Sequence, residues 1–123
     1  MFIVRERHLE ALARARSDDF VRRAARDLRK RHARLDGVPE QGLQGWIAQS
    51  MQDAERYHLR TEAEVVTFLE YRLLYGHDFP EGEDHTWALA ILTDEAIDVP
   101  ERLVRLDEMH ARFCLMSPEQ EAP

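Results

Sequence analysis

From Thr61 to Gly76 the chain reads TEAEVVTFLEYRLLYG, a helix marked at both ends and apolar on most of its circumference. Thr61 with Glu64 three residues on forms a capping box. The hydroxyl accepts from the Glu64 backbone N–H and the carboxylate reaches back to the N–H of Thr61. Gly76, directly after Tyr75, is the residue that closes such a helix. Between them Ala63, Val65, Val66, Phe68, Leu69, Tyr71, Leu73, Leu74 and Tyr75 leave a narrow polar strip of Glu64, Thr67 and Glu70. A helix this apolar is covered on more than one side, so it is expected to be an axle packed within other helices of the same chain.

Those other helices can be read from periodicity. Ile3, His8, Leu9, Leu12 and Ala13 give a first short helical run, Met1 to Ala15. Ser17 followed by Asp18 and Asp19 resembles an N-cap with acids in the first turn, so a second helix is expected from Asp18. Its apolar residues Phe20, Val21, Ala24, Leu28 and Leu35 recur at helical spacing, and Gly37 is expected to close it. Leu43, Trp46, Ile47, Met51, Ala54 and Tyr57 form one stripe of a third. Trp87, Leu89, Ile91 and Leu92 mark a short helix over Thr86 to Leu92. Asp98, Pro100 and Glu101 signal the start of a last one, on whose inner face lie Leu103, Leu106, His110 and Phe113. No segment alternates as a strand does. The expected fold is all-α: a single compact bundle of about five or six short helices around the helix near 62–75, with one domain over 1–116 and a flexible tail over 117–123.

At 123 residues one core is available, and 44% hydrophobic content is enough to fill it. The only cysteine, Cys114, excludes an internal disulfide and is expected to be a small core residue. The apolar start of MFIVRER is broken at Arg5, before a secretory core can form, and no run approaches a membrane span. A cytoplasmic location is the expectation.

Net charge is −7 but unevenly placed. Residues 1–36 hold eleven basic against six acidic side chains, whereas 37–123 hold six against eighteen. Two candidate partner-binding surfaces follow. One is the basic exterior of the second predicted helix, Arg22, Arg23, Arg26, Arg29 and Lys30; the other is the acidic loop HDFPEGEDH, with Asp78, Glu81, Glu83 and Asp84.

Chemistry is harder to find. His77, Asp78, Glu81, Glu83, Asp84 and His85 lie within nine residues, yet their order matches neither a zinc motif nor a calcium loop. No nucleophile elbow is present, and with 24 acids no carboxylate pair stands out. Neither catalytic residues, nor a metal, nor a cofactor is expected. Nucleic-acid binding would rest on the arginines from Arg22 to Arg34. Against it stand a single lysine, overall acidity and no aromatic residues interleaved for stacking.

The segment from Ala54 to Leu92 resembles small helical accessory proteins that accompany effectors, adaptor chaperones and spike-tip proteins of bacterial type VI secretion systems. The likeness is carried by Ala54, Tyr57, Leu59, Thr61-Glu62, Val65, Phe68-Leu69, Leu74, Gly76, Asp78-Phe79, Trp87 and Ile91-Leu92. Leu9 and the arginine-rich stretch Phe20 to Leu28 add to it. His58 stands where the pattern has a glycine. The resemblance implies a non-enzymatic cytoplasmic co-chaperone or adaptor for an effector or its chaperone; immunity against a toxin, or nucleic-acid binding through the Arg-rich helix, are the alternatives.

Overall fold

The computed structural model describes the backbone of residues 2–121 and the side chains of 17–115. The expected apolar positions Ile3 to Ala13, Leu9 among them, therefore have side chains outside the described residues, as does the expected tail. The fold is all-α. Its helices are α1 (Phe2–Arg31), α2 (Glu40–Glu55), α3 (Glu62–Tyr75), α4 (Thr86–Leu92) and α5 (Val99–Glu121), with single 3-10 turns at Ala33–Leu35 and Glu83–His85. Among the described residues there is no strand. The chain divides into two compact units, Met1–Asp53 and Ala54–Pro123.

In the first unit the two expected N-terminal helices are one. α1 runs unbroken through Ser17. The acids that imitate a helix start are accommodated inside it because Asp19 accepts from Arg23 Nε at 2.8 Å and lies 3.9 Å from Arg22. These are the i+4 and i+3 partners that stabilise a helix interior. Phe20, Val21, Ala24, Ala25 and Leu28 form its buried face. The helix stops at Arg31, not at Gly37: His32 turns extended (φ −129°, ψ 97°) and the backbone continues as a 3-10 turn. Gly37 does not adopt a positive φ. What holds this turn is Arg29, whose guanidinium donates to the carbonyls of Leu35 at 2.7 Å and Val38 at 2.5 Å and to Glu40 Oε2 at 3.1 Å.

α2 begins at Glu40, so Gly42 and Gly45 lie inside it; a Cβ on either would meet no atom within 4 Å. Its expected stripe is buried at Leu43 and Ile47, joined by Ser50. Ala54 and Tyr57, which continue the stripe, are buried in the second unit.

The second unit opens on the end of α2, a Schellman motif. The Leu59 N–H reaches the Ala54 carbonyl at 3.1 Å and the His58 N–H reaches that of Glu55 at 3.0 Å. The motif needs a left-handed residue between them, normally glycine. Here it is His58, at φ 64°, the position where the resembled pattern has a glycine. Ala54 and Leu59, the residues whose contact accompanies such a stop, are both buried in the core.

α3 has both expected ends. Thr61 and Glu64 make the complete capping box, and the Gly76 N–H returns to the Arg72 carbonyl at 2.9 Å, with φ 123° suited only to glycine. Phe68 and Tyr71 of α3 pack in one cluster with Ala54, Tyr57, Leu59, Phe79, Ala88, Leu92 and Leu106. Burying a side chain such as Phe68 contributes roughly 1.5–3 kcal/mol. Cover is incomplete, however, because Leu74 is 58% exposed. The polar strip also omitted Arg72, which is buried. Its guanidinium lies 4.7 Å from the centre of the Phe68 ring and Nε donates to the Phe79 carbonyl at 2.9 Å.

A second buried arginine joins α4 to α5. Arg102 donates to the carbonyl of Leu92, the last residue of α4, at 3.1 Å and to that of Ile97, in the connection before α5, at 3.0 Å. Asp98 caps α5 as the sequence predicts, accepting from the Glu101 N–H at 3.0 Å.

Two substitutions test these backbone arguments in urea unfolding. Gly45→Ala is expected to stabilise by about 1 kcal/mol, since alanine fits an open helical site without glycine's entropy cost. His58→Gly is expected to gain about 1 kcal/mol by removing the left-handed penalty of a residue with a Cβ.

Candidate partner-binding surfaces

The buried face of α1 fixes which arginines face solvent. Arg22, Arg26 and Lys30 follow one another at steps of four residues, so they form a single row, and all three are exposed. Arg23, exposed beside them, leans over the Phe20 ring at 5.9 Å and bonds Asp19. Arg29 is different. It is half-buried and its fork is used by the turn that it holds. Of the five basic residues singled out from sequence, the outward row thus contains Arg22, Arg26 and Lys30, with Arg23 at its side. Near its end Glu40 is held below the usual carboxylate range, chiefly by the Gln44 side-chain hydrogen bond, which together with Arg29 and Arg26 outweighs an opposing desolvation.

The acidic loop is similarly split. Asp78 Oδ1 lies 3.5 Å from His85 Nε2, and Asp78 Oδ2 would be 2.7 Å from a Cβ on Gly82, whose φ of 101° already demands glycine. Glu81 accepts from the Tyr57 hydroxyl at 3.1 Å and lies 3.5 Å from Arg56. Both carboxylates are partly exposed but engaged within the loop's own surroundings. Glu83 and Asp84, on the 3-10 turn, are exposed.

Behind the loop lies an aromatic pile. Tyr71, Tyr75 and Phe79 stack with centroids 5.5–6.1 Å apart. His85 meets Tyr75 and Phe79 edge-on, and Trp87 meets Tyr75 and Phe113 in the same way. The polar tips of the rings reach α5: the Tyr71 hydroxyl donates to Asp107 Oδ1, and the Tyr75 hydroxyl pairs with His110 Nδ1 at 2.5 Å. His110 Nε2 is 3.4 Å from the Cys114 thiol. Cys114 is exposed, against the expectation of a core residue. His110 one turn earlier is the neighbouring base that sequence inspection missed, although the four-residue spacing was the available signal. Rings fill the interior and the ionisable tips sit around the edge. That arrangement ties α3 to α5 through the Tyr71–Asp107 and Tyr75–His110 contacts.

One surface depression was not anticipated. Ile91 of α4 and Glu101, Arg105, Glu108, Met109 and Arg112 of α5 line an open groove of about 350 Å³. Its charges alternate in sign at positions i, i+4, i+7 and i+11, a pattern present in the sequence but masked there by the abundance of acids.

Among the described residues no three or more His, Cys, Asp or Glu side chains converge as a metal site, and no helix is long and apolar enough to cross a membrane. No family model, curated protein or solved structure matches the chain.

The tyrosines supply a pH signature. Burial, then the Glu81 carboxylate, push Tyr57 up to about 12. Burial followed by Asp107 raises Tyr71, and burial followed by Cys114 raises Tyr75. Because these groups are neutral more readily in the fold than in the unfolded chain, their contribution is complete below the ordinary phenol value of 10 and is lost as pH rises. For Tyr57 the window is pH 10 to about 12. Unfolding free energy is expected to fall there by up to about 1.4 kcal/mol per pH unit through this group. Tyr57→Phe should make the slope shallower, measured by urea titrations across that range.

Proposed function

We propose that the protein is a non-enzymatic, cytoplasmic accessory factor that binds an acidic surface on a protein partner, acting as a co-chaperone or adaptor for a type VI secretion effector or its chaperone. The observation that carries this reading is the exposed row Arg22, Arg26 and Lys30 along one side of α1. Cations aligned on a rigid helix attract and orient an acidic partner, and their effect falls mainly on encounter and register. The partner's class comes from the resemblance of Ala54 to Leu92 to type VI accessory proteins.

A protein partner suits the row better than nucleic acid does. Asp19 and Asp27 are interspersed among these cations, pairing with Arg23 and Arg31, and the whole chain carries a net −7. A phosphate backbone is a continuous line of negative charge that these interspersed carboxylates oppose, whereas an acidic patch on a protein can be as short as the row itself.

Co-expression with the effector and the adaptor chaperone of the same secretion cluster, followed by size-exclusion chromatography at low and moderate salt, tests the reading. Wild-type protein is expected to co-elute with one of them. Reversing the row in the triple variant Arg22→Glu, Arg26→Glu, Lys30→Glu should weaken that complex by on the order of tenfold or more. Separate elution of every pair, or steeply salt-dependent binding to DNA or RNA in place of protein, would count against it.

A further inference from the structure

The outer face of α5 carries a charge order that is complementary to itself. Glu101, Arg105, Glu108 and Arg112 are exposed, line the same groove and alternate acid, base, acid, base. Read in reverse, the order becomes base, acid, base, acid. A second α5 laid antiparallel, with the two-fold axis between residues 106 and 107, therefore places Glu101 against Arg112 of the second copy and Arg105 against its Glu108. Each pair occurs twice by symmetry. A parallel alignment in register would set like against like.

The apolar residues obey the same register. Val104, 49% exposed on α5, falls opposite Met109 of the second copy, which lines the groove beside Ile91. Each helix thus contributes an exposed apolar knob and receives one. Among the described residues none of the four charged side chains is engaged in an ion pair within the chain, although their spacing of three and four residues would permit it. They are available to a second helix.

We infer that this face is a self-association surface through which two copies of the chain pair by antiparallel contact of α5. The stretch from Glu101 to Arg112 is about 18 Å long, so the contact is small beside the roughly 1,200–2,000 Å² of a standard interface. Association is accordingly reversible, concentration-dependent and weakened by salt. This inference uses α5 alone and does not rest on the function proposed for α1.

Sedimentation velocity over a rising concentration series of the full chain at low salt is the test. Wild-type protein is expected to move from monomer towards dimer as concentration rises. Arg105→Glu and Glu108→Arg should each weaken association by about tenfold or more, because each opposes like charges twice. Mixing these two variants should restore a dimer, since the carboxylate introduced in one then meets the guanidinium introduced in the other, and the double variant Arg105→Glu, Glu108→Arg should also self-associate. Circular dichroism confirms that each variant is helical. A wild-type chain that stays monomeric throughout, single reversals that associate like wild type, or a folded double variant that remains monomeric would each overturn the inference.

Discussion

Arg72 is a charged side chain only 7% exposed, in the last turn of α3 and beside the core of the second unit. A buried cation is tolerated only where its donors are met, because desolvation otherwise outweighs whatever it gains from neighbours. Here the face of Phe68 lies against the guanidinium and the Phe79 carbonyl accepts from it. That carbonyl belongs to the loop after Gly76. The same contact that neutralises the cation therefore fixes where the loop departs and brings Phe79 back onto Tyr71 and Tyr75. Once Phe79 is seated, the positions of Asp78, Glu81 and His85 follow.

Arginine has a similar use elsewhere in the chain. Arg29 gathers two turn carbonyls and a carboxylate after α1, and Arg102 gathers two carbonyls between α4 and α5. In each case a planar fork satisfies acceptors that a short connection leaves open. This explains why a residue type that reads as solvated surface in the sequence is divided in the fold. Arg22 and Arg26 face outward, whereas Arg29, Arg72 and Arg102 hold connections together.

That division marks the limit of what the sequence discloses. Features fixed by neighbours three or four residues apart were legible: the Thr61–Glu64 box, the Asp98 cap, the stop at Gly76 and the short helix over Thr86 to Leu92. Where two local signals compete, their order was not. Ser17-Asp18-Asp19 carries the chemistry of a helix start, but Asp19 finds Arg22 and Arg23 on the same helix and the chain continues. The left-handed stop at His58 was not legible from propensity, because histidine at such a position leaves no compositional mark. The basic row was visible, since Arg22, Arg26 and Lys30 lie on one helix. That Arg29 leaves it, and that Asp78 and Glu81 contact His85 and Tyr57, depends on contacts across a turn or between elements, which periodicity does not encode.

The two charged helix faces differ in a way that bears on what each can bind. The row on α1 presents one sign at three successive steps, so a second copy of the same row would be repelled and only an acidic surface relieves it. The face of α5 has no net charge along Glu101, Arg105, Glu108 and Arg112, exerts little attraction at long range, and gains only when its order is matched residue by residue at contact. A single-sign surface therefore selects partners by charge at a distance, and an alternating one selects by register. Since the phenol groups of Tyr71 and Tyr75 and the His110 imidazole are already hydrogen-bonded between α3 and α5, these two exterior patterns are the charged interactions that the described residues present to a partner.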